Sequence, residues 1–158
     1  MRNTVLLDVL LLIALLVLAT GIGLWWQARN GRYTAVDPSL LAGAPSTTAD
    51  DTRLTAAELG SPLGARATFV QFSSEVCTPC RRTAAVLAQL VSEHDDLSHV
   101  EMDVVEHLDL VRRFSIMRTP TTLLLDARGV VVGRMSGATD RRHALTALDA
   151  CPGGVRAS

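Results

Sequence analysis

The stretch Phe69-Val70-Gln71-Phe72-Ser73-Ser74-Glu75-Val76-Cys77-Thr78-Pro79-Cys80-Arg81-Arg82, continued by TAAVLAQLVSEH to His94, decides the reading of this chain. Its opening, with Thr68, is short, β-branched and aromatic, as in a buried strand. Its close carries Val86, Leu87, Leu90 and Val91 at helical spacing, which predicts a helix of about 15 residues. The two cysteines fall between strand and helix. Two intervening residues let both sulfurs approach at disulfide distance on the first helical turn. Unpaired N–H groups at a helix start stabilise an anion, and only a thiolate attacks a disulfide, so Cys77 is expected to be exposed with a lowered pKa. Pro79 suits a first turn, where a missing N–H costs nothing. Arg81 and Arg82 add positive charge nearby.

Other uses of such a pair fit less well. A zinc site needs four ligands, and the remaining candidates, Cys151, His94, His99, His107 and His143, are not paired at ligand spacing. Haem attachment needs His after the second cysteine, and position 81 is Arg. A disulfide closing so small a loop stabilises little. Redox chemistry is the expectation, with no metal and no cofactor. The chain has 158 residues, three cysteines and a net charge of −1. An odd, small cysteine count argues against a disulfide framework, and the near-neutral charge gives no reason to expect a nucleic-acid partner. All fifteen basic side chains are Arg, so lysine-dependent chemistry such as Schiff-base formation is excluded.

Working outward, His99–Val104 reads as a second strand, and Leu108, Val111 and Phe114 mark a short helix. After Pro120, TTLLLD is a third strand, Ala127-Arg128-Gly129 a turn and VVVGRM a fourth strand. Asp140 to Ala150 is a last helix, with an acid in its first turn to suit the macrodipole. The order is βαβα then ββα. The first half is a parallel βαβ unit; the second is a hairpin, because its turn is too short for a crossover. A mixed four-stranded sheet covered by helices on both faces follows, an α/β three-layer sandwich.

The amino-terminal part reads differently. Val9–Trp26 is an uncharged, mostly aliphatic run, with Asp8 just before it and Trp25 and Trp26 at its end. That length suits a helix crossing a hydrocarbon core of about 30 Å, and indoles favour the headgroup level. A cleaved signal peptide has a shorter apolar core and a nearby A-x-A site; here the first is Ala42-Gly43-Ala44, followed by Pro45. We therefore expect a single transmembrane anchor at 4–26, a linker at 27–63 rich in Gly, Pro, Ser and Thr, a globular domain at 64–151 and a mobile tail at 152–158. Within the linker, Leu54–Leu59 is a short amphipathic stretch expected to pack on the domain edge. Arg2 precedes the apolar segment and Arg29 and Arg32 follow it, so the flanking charge sets no orientation in the cell membrane.

Thr68 to about Ala150 resembles the thioredoxin superfamily. FVQFSSEVCTPCRR resembles its strand–CxxC–helix, Met117-Arg118-Thr119-Pro120-Thr121 its cis-proline loop, and Gly129 and Gly137 fall at its hairpin turn and before its last helix. The resemblance implies a cis Pro120 beside the dithiol, and a backbone at Thr119 that pairs with a substrate strand. It implies protein thiol and disulfide substrates and a redox partner. Three departures stand out. Gln71 replaces a buried Asp, Glu101 appears where a Lys is common, and Ser73 and Val76 replace Trp residues. Glu101 is then either a buried base for Cys80 or an exposed strand glutamate; an ionised Glu is rarely buried, which favours the second. Cys151 is read as a spectator thiol or as a partner in an intermolecular disulfide.

The function expected is a membrane-anchored thiol–disulfide oxidoreductase with catalytic Cys77 and Cys80 and substrate-binding Thr119 and Pro120. An anchored domain of this kind is similar to the thiol reductases that keep apocytochrome c cysteines reduced. The alternatives are a redox-inert thioredoxin-like binding module for a membrane partner, and a metal chaperone, which lacks a third ligand.

Overall fold

The computed structural model describes residues 2–29, 33–35 and 52–151. The chain divides into two compact units, Met1–Asn30 and Gly31–Ser158. The first is one helix, α1 (Arg2–Arg29), whose aliphatic side chains from Leu10 to Trp25 are all exposed. Inside it the Thr20 hydroxyl donates to the Leu16 carbonyl at 2.7 Å, so its one described hydroxyl is paired within the helix. The expected transmembrane anchor falls on α1, yet among the described residues no helix is long and apolar enough to cross a membrane.

The second unit is a mixed sheet between two layers of helices. Its elements are β1 (Tyr33–Ala35), α2 (Ala56–Leu59), β2 (Ala67–Ser73), α3 (Thr78–Ser92), β3 (Leu97–Asp103), α4 (Leu108–Arg113), β4 (Thr121–Asp126), β5 (Val131–Ser136) and α5 (Arg141–Asp149). The sheet order is β1-β5-β4-β2-β3. β2 and β3 are parallel, while β4 pairs antiparallel with both β2 and β5. These are the four strands expected. β1, from the segment read as a linker, adds a fifth, antiparallel to β5. The linker reading missed it because three residues are too few for a period-2 pattern to emerge from a Gly- and Pro-rich background. The same segment supplies α2, closed by a Thr55/Glu58 capping box, and Leu54 and Leu59 are buried as the amphipathic stretch requires.

β2 and β4 are buried along their whole length because both their faces are covered. Successive side chains alternate between faces. Val70, Phe72, Leu123 and Leu125 meet Leu59, Leu110, Phe114 and Ile116 on the α2/α4 face. Ala67, Phe69 and Leu124 meet Leu87, Leu90, Ala144 and Leu148 on the α3/α5 face. The β4–β5 turn is organised by Asp126, whose Oδ1 accepts the N–H groups of Arg128 and Val130, each at 2.9 Å. Gly129 completes the turn at φ +80°, and a Cβ there would lie 2.1 Å from the Leu54 carbonyl oxygen, so only glycine fits. The tail at 152–158 lies outside the described residues.

Candidate functional site

The site lies where β2 ends and α3 begins. Cys77 is the N-cap of α3, with φ −131° and ψ 93°, in extended backbone. Its carbonyl accepts the N–H groups of Cys80 and Arg81, at 3.1 and 3.2 Å. Its Sγ accepts the Cys80 N–H at 3.1 Å, the bond that a serine or threonine oxygen makes at an ordinary N-cap. Pro79 occupies the first turn without leaving a donor lost. Cys77 and Cys80 are joined as a disulfide with a Cα–Cα separation of 5.2 Å, inside the usual range. The expected exposure of Cys77 is not met in this oxidised form. Cys77 is 7 % exposed and Cys80 1 %, because the Cys77 sulfur turns inward against Cys80 and the first turn of the helix. Cys77 is still the more accessible of the two.

The second loop arrives from β4. Phe72 pairs with Thr121 and Gln71 with Thr122, so the antiparallel register sets Thr119 and Pro120 beside the Ser73-Ser74 end of β2. The Thr119–Pro120 peptide bond is cis. Ser74 and Thr119 hydroxyls lie 3.4 Å apart, Thr121 Oγ1 donates to the Arg118 carbonyl at 2.8 Å, and the Pro120 carbonyl accepts the Gly137 N–H at 2.8 Å. Thus Cys77, Cys80, Thr119 and Pro120 are brought to one end of the sheet. The Val104 N–H donates to the Ser73 carbonyl at 2.9 Å, which ties the loop after β3 to the same end. Val76, next to Cys77 in the chain, and Met117, three residues before Pro120, are 98 % and 88 % exposed.

Beneath the pair sits Gln71, fully buried. Its Nε2 lies 2.8 Å from Ser73 Oγ, 3.0 Å from the Cys80 carbonyl oxygen and 3.3 Å from Glu101 Oε1. Its Oε1 is buried with no partner, as is Thr122 Oγ1 on the neighbouring strand. Glu101 is exposed at the sheet edge, which selects the strand-glutamate reading over a buried base. Two residues away, His99 has its pKa lowered by burial, opposed by the charge of Glu101. Cys151 is free and buried; burial, then Asp126, push its thiol pKa up, with Arg66 opposing. Among the described residues no group of three His, Cys, Asp or Glu side chains is placed to hold a metal ion.

Sequence reasoning missed the Ser74–Thr119 contact and the role of Arg134. The Arg134 guanidinium donates to the Phe114 and Ser115 carbonyls at 2.9 and 2.7 Å, pinning the segment that leads into the Thr119–Pro120 loop. Burial lowers its pKa. A single charge in the otherwise apolar VVVGRM strand was the available signal.

Comparisons with known proteins agree with this geometry. The thioredoxin family model matches residues 54–150. The chain is 36% identical over 56 residues to Thioredoxin H5 of Oryza sativa subsp. japonica, covering 35% of this chain and 42% of that protein. It is 32% identical over 69 residues to Thioredoxin H2 of Arabidopsis thaliana, covering 44% and 51%. The chain thus spans about half the length, or less, of the curated relatives it matches. Among solved structures, the thioredoxin NaTrxh from Nicotiana alata is similar, with a TM-score of 0.50, 27% identity, and coverage of 56% of this chain and 76% of that one.

Proposed function

The chain belongs to the thioredoxin family, and on that premise we propose that it is a membrane-anchored thiol–disulfide oxidoreductase acting on protein disulfides through Cys77 and Cys80. The observation that carries the reading is the sulfur at the N-cap of α3, held by the Cys80 N–H. Amide donors and the helix dipole aimed at that sulfur favour its thiolate once the disulfide is reduced.

The reaction is exchange. The Cys77 thiolate attacks one sulfur of a substrate disulfide; a Cys77–substrate bond forms, the substrate S–S bond breaks, and the second substrate sulfur leaves as a thiolate. Cys80 then loses its proton and attacks Cys77. The Cys77–Cys80 disulfide forms and the remaining substrate thiolate departs. Two electrons pass from dithiol to substrate, and a dithiol redox partner restores them by the reverse exchange. The oxidised pair runs the same steps backwards, and direction follows from its reduction potential against that of the compartment. Thr119 and Pro120 form the edge against which a substrate strand lies, and the exposed Val76 and Met117 suit an apolar polypeptide.

Anchoring to the cell membrane by a single pass is supported by the uncharged run Val9–Trp26 and by the exposed aliphatic surface of α1. The chain is expected to stay with membranes through an alkaline carbonate wash, and a version lacking 1–30 to be released. Release of the full chain would remove the anchor.

The chemistry is tested with insulin disulfide reduction. Cys77→Ser abolishes turnover, whereas Cys80→Ser accumulates a mixed disulfide visible on non-reducing electrophoresis. Full activity in Cys77→Ser would refute the assignment, and absence of exchange in the unaltered chain would leave a redox-inert binding module.

A further inference from the structure

We infer that Gln71 is a positioning residue for Cys80, kept in that role by Glu101, and that this pair governs the resolving half of the exchange more than the attacking half. The inference rests on the oxidoreductase reading above and concerns the same site. An amide nitrogen carries two hydrogens, while carbonyl and carboxylate oxygens only accept. The Ser73 hydroxyl, 2.8 Å from the same nitrogen, can donate or accept and so suits either orientation of the amide. But with the Cys80 carbonyl at 3.0 Å and Glu101 Oε1 at 3.3 Å, the nitrogen end of Gln71 must face both. The reversed amide would set an oxygen against two acceptors. Glu101 is in register with Gln71 across the parallel β2–β3 pair, and it fixes the amide's orientation from the exposed edge of the sheet.

The arrangement leaves Gln71 Oε1 buried and unpaired, a cost that Met or Leu at this position would avoid. Packing alone does not call for an amide here. What the amide provides is a hold on residue 80, which is then gripped at both ends. Its N–H points at Cys77 Sγ and its carbonyl at Gln71. In the mixed disulfide, the Cys80 thiolate must reach the Cys77 sulfur, so that the Cys77–Cys80 bond forms, the Cys77–substrate bond breaks, and the substrate sulfur leaves with the electron pair. The Cys80 proton goes to solvent. Holding the first turn against the sheet keeps Cys80 in attack geometry during that step. The first attack, by Cys77 on an incoming disulfide, draws on the Cys80 N–H, which the helix's own first turn holds toward the Cys77 carbonyl and sulfur, and not on the Cys80 side chain.

The test is single-turnover reaction of the reduced full chain, in detergent micelles, with the aromatic disulfide 5,5′-dithiobis(2-nitrobenzoate). A Cys151→Ala background leaves only the pair to report. Attack releases one coloured thiolate and resolution the second, so the two steps appear as two phases. In Gln71→Met the second phase slows about tenfold relative to the first, the scale of one lost hydrogen bond to a buried group. Glu101→Ala, a change at an exposed position, slows the second phase about threefold, and Glu101→Gln, which keeps an acceptor oxygen, restores most of that loss. A merely structural role would slow both phases together or alter only unfolding. Equal slowing of both phases, or no change in either variant, overturns the inference. Absence of both phases in the parent protein overturns the oxidoreductase reading itself.

Discussion

The face of the sheet under α2 and α4 is apolar through its middle, and its two end threonines are each satisfied by nearby backbone. Thr68 Oγ1 accepts the Gly64 N–H at 2.9 Å, and Thr121 Oγ1 donates to the Arg118 carbonyl at 2.8 Å. The face under α3 and α5 changes character along its length. At one end Ala67, Phe69, Leu87, Leu90 and Leu148 form a closed apolar cluster. At the other, below the cysteines, Gln71, Ser73, Thr83, Thr122 and Thr139 are all buried, and three of them leave an atom without a partner. Buried polar groups without partners oppose folding, so their concentration under the reactive turn marks the place where composition serves chemistry at the expense of stability.

That contrast is open to attack by substitution. The largest effect is expected from Leu123→Ala on the apolar face, where Leu123 is fully buried. The lost packing and the cavity should cost about 2–5 kcal/mol in denaturant unfolding, while the folded fraction keeps its exchange rate. Loss of activity with little loss of stability would contradict the division of labour between faces. Thr122→Val on the polar side replaces an unpaired buried hydroxyl by a methyl group of the same shape. It should change stability by less than about 1 kcal/mol, or raise it. A larger loss would mean that the hydroxyl is satisfied, and the polar layer would no longer be a cost.

The smallest effect belongs to the rim of the same face, where Arg141 pairs with Glu93 at the far end of α3. Hydrogen bonding from Arg141, aided by its charge, holds the Glu93 carboxyl below its ordinary pKa. A carboxyl depressed in the folded state adds stability above its unfolded pKa and loses it as pH falls through the folded value. Unfolding midpoints of Arg141→Ala and the parent should therefore differ slightly at about pH 7 and converge by about pH 3. A gap that widens in acid would reverse the sign of this pair.

The same division explains what was legible beforehand. The α3 helix, the βαβ unit and the hairpin announce themselves by period, because Val70, Phe72, Leu87, Leu90, Leu123 and Leu125 must reach a core. The four candidate site residues were named from a strand–CxxC–helix junction and a Thr-Pro before a strand, and the register brings them to one end of the sheet. Besides the Ser74–Thr119 contact and the hold of Arg134 on the Phe114 and Ser115 carbonyls, three things escaped. β1 is too short to carry a pattern. The inward turn of Cys77 depends on its bond to Cys80, which spacing permits but does not describe. The contacts of Gln71 depend on which neighbour stands across β3, a long-range fact that no local pattern of one strand contains.

The most direct measurement is the pH dependence of alkylation of the reduced protein, with the modified residue identified by mass spectrometry. We predict that Cys77 reacts first and ionises well below a free cysteine, while Cys80 and the buried Cys151 stay protected at neutral pH. A Cys77 that ionises in the range of free cysteine, or reacts no sooner than Cys80, would contradict the account of a thiolate stabilised at the helix start.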